Sequence, residues 1–93
     1  MNSTTCYTPE GPLTLDTVSE IRQVGEDTMT ISPICFDFSA VTQVDSSAIS
    51  LLLDWKRAAQ ERDVELKFAH MPEHLLVLAG LYGVRDLIIS TQV

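Results

Sequence analysis

Residues 34–62 read as a short buried strand, a turn and a long helix, and this succession constrains the fold more than any other feature of the chain. Ile34, Cys35, Phe36 and Phe38 form a nearly continuous apolar run, interrupted by Asp37 and bounded by Pro33 and Ser39. A run that short and that apolar is the pattern of a central strand covered on both faces. Residues 39–44 make a turn, and Asp45-Ser46-Ser47 then opens a helix that runs to about residue 62. Its apolar positions are Ala48, Leu51, Leu52, Trp55 and Ala59, the i, i+3, i+4, i+7 stripe of a helix with one buried face. Strands separated by such helices must be joined by crossovers, which points to an α/β arrangement.

The rest of the chain fits the same plan. A short strand is expected around residues 5–7, with Pro9, Gly11 and Pro12 as a turn, and a second over 13–15. Leu15, Val18, Ile21 and Val24 recur at helical spacing, so a first helix is expected over residues 16–24, capped by Thr14 or Asp16 and stopped at Gly25. Residues 26–33 are polar and end in Pro33, as a loop does. Residues 64–68 alternate with period two, a strand with one buried face. Pro72 sits in the first turn of a third helix with an inner stripe of Leu75, Leu78, Ala79 and Tyr82, ended by Gly83, and Tyr82 is also a second candidate partner contact through a hydroxyl that reaches the surface. Residues 87–89 suit a last short strand. The expectation is a single domain over residues 1–93, with a mixed central β-sheet and helices packed mainly on one face.

Charge narrows the function. Thirteen acidic residues against six basic ones give a net charge of -7. That balance repels nucleic acid and anionic lipid surfaces, so neither is an expected partner. The first residues carry no Lys or Arg and no long apolar run, unlike a secretory signal. No apolar run approaches the ~20 residues of a membrane span, so direct membrane insertion is not expected. A cytoplasmic location is the default. Cys6 and Cys35 are too few and too far apart in sequence for a zinc site or a disulfide framework, and each suits a strand as a small apolar residue.

Enzyme motifs are missing. The chain has no G-x-x-x-x-G-K-[ST], G-x-G-x-x-G or H-E-x-x-H motif, and no G-x-S-x-G elbow around Ser46 or Ser47. His70 and His74 have the i, i+4 spacing of a metal pair, but Pro72 between them disfavours helix at Met71 and no third ligand completes a set. Asp37 lacks a partner for acid–base work. No catalytic residue, cofactor or metal is therefore expected. The turn at Asp45-Ser46-Ser47 is different, and Ser46 and Ser47 are both good N-cap residues for the helix that follows. A helix N-terminus presents free N–H groups and a partial positive charge, so a serine placed there tolerates an added phosphate.

The stretch FDFSAVTQVDSSAISLLL resembles the signature of the STAS family, a strand ending in an Asp-Leu-Ser-like turn followed by an Asp-Ser/Thr-Ser/Gly-Gly-Leu motif. The resemblance implies a non-enzymatic binding module. It also makes Ser46, directly after the Asp, the candidate regulatory or phosphorylated hydroxyl, with Ser47 as second choice. Ala48 stands where the family usually has Gly. Alanine is the better helix former, so the helix start is stiffer than in the phosphate-switched relatives. The stretch LLLDWKRAAQERDVELKFAHMPEHLLVLAGLYGVRDLI is similar to the small STAS subunit of the Mla-type phospholipid ABC transport system of bacteria. That likeness implies binding to the transporter's ATPase subunit, at the inner membrane through that partner, in support of lipid asymmetry. The sister group, the anti-sigma factor antagonists, implies instead an anti-sigma factor kinase as partner.

Helix geometry gives an independent pointer to docking. At ~100° per residue, Ile49 and Leu53 lie about 100° to 140° from Ala48, off the core stripe. Asp45, Ser46, Ser47, Ile49, Ser50 and Leu53 are thus expected to form a partner-binding patch, apolar with hydroxyls at its edge.

Overall fold

The computed structural model describes residues 5–91. In chain order its elements are β1 (Thr5–Tyr7), β2 (Gly11–Leu13), α1 (Val18–Asp27), β3 (Ile34–Asp37), β4 (Val41–Val44), α2 (Ser47–Glu61), β5 (Leu66–Ala69), α3 (Glu73–Leu81) and α4 (Arg85–Ile89). Strands β1, β3 and β5 form one sheet in the order β1-β3-β5, and β2 pairs with β4 in a second. The α/β class is as expected. The mixed sheet is not, because every pairing described is parallel. Each pair of neighbours is joined through at least one helix, and a helical crossover returns the chain in the same direction.

Three elements differ from their expected form. Residues 41–44 are a strand, not a turn. Thr42 and Gln43 are exposed and hide the strand's character, while its partner β2 lies far back in the chain. Strand β2 starts at Gly11, where φ is +81°, and the register shifts between Gly11 and Pro12. A bulge is where a proline, with no N–H to give, fits a strand. Residues 85–89 are a helix rather than a strand. Ile88 is fully buried between exposed Leu87 and exposed Ile89, and over so few residues one buried position cannot tell period two from period 3.6.

The helix ends have local causes. In α3, Val84 N–H donates to Ala79 C=O at 2.9 Å and Gly83 N–H to Gly80 C=O at 3.1 Å, the Schellman pattern, with Gly83 at φ +74°. In α2 the same two bonds run from Val64 to Ala59 and from Asp63 to Gln60, and Asp63 takes the positive φ of +55°. Helix α1 begins after Thr17, whose hydroxyl accepts from Thr14 N–H at 3.0 Å and donates to Pro12 C=O at 2.8 Å. Leu15 therefore lies in a turn before the helix and is 75% exposed, not part of its apolar stripe. Gly25 does not stop α1, which continues to Asp27.

Helices α2, α3 and α4 contribute to one buried cluster, and α1 packs Val18 and Ile21 against it. Trp55 of α2 sits at its centre with no exposure. Its ring meets Phe36 edge-on, with centroids 4.7 Å apart, and Tyr7 at 6.2 Å. Its indole N–H donates to Arg22 C=O at 3.1 Å. The row Tyr7–Phe36–Phe68 crosses the sheet on this face. The next row, Cys6–Cys35–Lys67, points the other way, and Cys6 and Lys67 are exposed. No helix among the described residues is long and apolar enough to cross a membrane.

Candidate docking site at the start of helix α2

Asp45 organises the start of α2. One carboxylate oxygen accepts Ser47 N–H at 2.8 Å, and the other accepts Leu15 N–H at 3.1 Å. Its carbonyl accepts Ala48 N–H at 3.0 Å, and its own N–H donates to Leu13 C=O at 3.3 Å. The carboxylate thus takes the capping role expected of a serine, next to the positive end of a 15-residue helix. Ser46 is freed from that task. Its side chain makes no capping hydrogen bond, and the residue is exposed.

The serines of the first turn face different grooves. Ser47 lies beside α1, with Leu15, Val18, Ser19, Arg22 and Asp54. Ser46 lies beside the end of α3, in an open groove of ≈ 370 Å³ lined by Ile49, Ser50, Leu53, Tyr82 and Val84. Ser50 stands on the ridge between the two and borders both. Of the six residues expected to form one patch, Ser46, Ile49, Ser50 and Leu53 come together. Asp45 works behind them, and Ser47 turns toward the other side.

Burial corrects the expected roles of Ile49 and Tyr82. Ile49 is 5% exposed and belongs to the core, so it forms the groove's floor rather than a free surface. Leu53 is half-buried against the core. Tyr82, expected in the inner stripe of the third helix, is 58% exposed and forms the groove's wall. The sequence signal for Tyr82 and Val84 is Gly83 between them. A glycine in the left-handed conformation ends the helix there, which puts Tyr82 at the C-cap and Val84 just past the cap, where it packs back against the core. Ala48 is fully buried, so the methyl group that departs from the family pattern packs into the core and leaves the groove unchanged.

The other candidates have structural explanations. One oxygen of Asp37 accepts Ser39 N–H at 2.9 Å at the end of β3. That hydrogen bond, aided by the Ser39 hydroxyl and nearby His70, holds its carboxyl below the usual range despite some desolvation. An acid that readily ionised is a poor proton donor. His70 ends β5 with φ +58°, and His74 is on the first turn of α3. Both are exposed, on separate elements.

Comparison with known proteins agrees with the fold. The profile of the family described as Mlab, STAS domain matches residues 10–89, which include the pairs β2–β4 and β3–β5, the Asp45 turn and the groove. No curated protein matches the sequence. The fold is also that of a crystal structure described as a sulfate transporter family protein from Wolinella succinogenes. That chain superposes with a TM-score of 0.70 at 13% identity, over 96% of this chain and 75% of the other.

Proposed function

Taking as premise that the chain belongs to the Mlab, STAS domain family, we propose that it is a non-enzymatic cytoplasmic subunit that binds the ATPase of a phospholipid-transporting ABC system and supports its assembly and activity. The observation that carries this reading is the groove itself. Its floor is Ile49 and Leu53, its wall is Tyr82, and its rim hydroxyls are Ser46 and Ser50. A tyrosine beside aliphatic side chains is the composition of an interface centre. The groove is open, which suits an inserted side chain or helix of a protein better than an enclosed small molecule.

The test is to tag the protein, recover its native complex and identify the partners by mass spectrometry. An ABC ATPase with its permease is expected. Tyr82→Ala should weaken that complex by about tenfold or more, as truncation of a central aromatic anchor does. The exposure of Tyr82 means that the thermal midpoint should stay close to that of the original chain. Recovery without any ABC subunit, or full binding by the variant, would overturn the reading.

One observation favours a second reading, that of an anti-sigma factor antagonist phosphorylated on Ser46. The Ser46 hydroxyl is exposed and not held by capping, so a kinase could reach it without unfolding the turn. Recovery of a GHKL-type kinase, with phosphate on Ser46 in the same spectra, is the outcome that selects this reading over the first.

A further inference from the structure

The two cysteines, 29 positions apart in sequence, are direct neighbours in the fold. Cys6 on β1 and Cys35 on β3 are in-register partners of a parallel pair. Partners in register project from the same face, here the face opposite the aromatic core. Neighbouring strands lie ~4.8 Å apart, inside the ~4.4–6.8 Å range of Cα separations that a disulfide spans. Among the described residues β1 is an edge strand paired with β3 alone, so it can adjust toward β3 as the S–S bond forms. Both thiols are reduced in the structure, with Cys6 exposed and Cys35 buried.

We propose that Cys6 and Cys35 form a reversible two-electron redox site that closes to an intrachain disulfide when a peroxide reaches Cys6. The thiolate of Cys6 attacks one peroxide oxygen. The O–O bond breaks, an S–O bond forms, and the departing hydroxide is protonated to water. Cys35 then attacks the Cys6 sulfur. The S–O bond breaks, the S–S bond forms, and the hydroxide leaves as water with the Cys35 proton. The two thiols lose two electrons and two protons, and one peroxide becomes two waters. Two molecules of a small thiol such as glutathione reopen the disulfide by exchange through a mixed disulfide and leave as their own disulfide.

The order of events follows from the environment of each sulfur. Peroxide meets Cys6 first because only Cys6 is exposed. Burial pushes the Cys35 thiol up to about 11, helped by its hydrogen bond to Cys6, by the charge on Cys6 and by Asp37. The site does not involve the groove beside α2 and is independent of the function proposed above.

The experiment treats the full chain with hydrogen peroxide, removes the oxidant, alkylates under denaturing conditions without reductant and measures intact mass. The expected product is lighter by two hydrogen atoms, takes up no alkylating agent, and regains two reactive thiols after dithiothreitol. Closure should be about tenfold or more faster in the folded chain than in guanidinium, because the strands hold the sulfurs together. The Cys35→Ser variant should stop at a sulfenic acid on Cys6, trapped by dimedone. Two alkylated cysteines after peroxide, a disulfide-linked dimer through Cys6 as main product, or equal rates folded and unfolded would each overturn the proposal.

Discussion

Asp45 shows how one side chain sets the chemistry of its neighbours. Its two oxygens bind N–H groups from two separate segments, Ser47 at the helix start and Leu15, 30 positions before Asp45, in the turn before α1. Removing it leaves both donors without a partner and takes a negative charge from the helix N-terminus. Asp45→Ala is therefore expected to cost about 1–2 kcal/mol, the upper part of the range for a lost helix cap. Urea denaturation would measure the loss, and hydrogen exchange would show faster exchange at Leu15 and Ser47. A variant as stable as the original would mean that water replaces the carboxylate at no cost. The motif was legible at this scale, and the division of labour within it was not. Sequence reasoning offered the serines as caps because Ser is a good cap. The structure gives that role to the carboxylate beside them and leaves the Ser46 hydroxyl at the rim of the groove.

At the scale of elements, the contact between α1 and α2 depends on Gly25. A Cβ there would lie 2.5 Å from the Trp55 indole nitrogen and 2.6 Å from two ring carbons. The indole cannot retreat, since it is wedged against Phe36 and tied to the Arg22 carbonyl. Helix propensity alone would favour Ala over Gly by ~1 kcal/mol. The clash outweighs it, and Gly25→Ala is expected to destabilise by about 1–3 kcal/mol in total, as overpacking does. A chemical melt decides between the two effects, because a stabilised variant would show that propensity wins. Reading Gly25 as a helix stop followed a sound local rule. The residue instead serves a partner 30 positions away, which local spacing cannot reveal. The i, i+3, i+4 stripe of α2 and the alternation of β5 were legible because each repeats over enough residues to define a period. β4 was not, because exposed Thr42 and Gln43 adjoin and break the alternation, and α4 was not, because it buries only Ile88 in its five residues.

Across the whole molecule, the two sheets share one core. Leu13 of β2 and Val44 of β4 belong to the same buried cluster as Phe36 and Phe68 of the larger sheet. Unfolding is therefore expected to be one cooperative transition, with Trp55 fluorescence and far-ultraviolet circular dichroism giving coincident urea curves. Separate midpoints would mean that the smaller sheet opens on its own. Apolar periodicity, the Pro and Gly punctuation and the acidic balance determined, from sequence alone, an α/β chain whose strands are joined by amphipathic helices and whose Asp-Ser-Ser turn opens the longest of them. These are local properties, carried by residues within a few turns of one another. Tertiary structure alone decided which residues meet across the chain: Tyr82 and Val84 against Ser46, Ile49 as floor rather than surface, Gly25 under Trp55, Cys6 beside Cys35. Strand order and helix packing set those meetings, and a periodicity that says which face of an element is buried does not say what it is buried against.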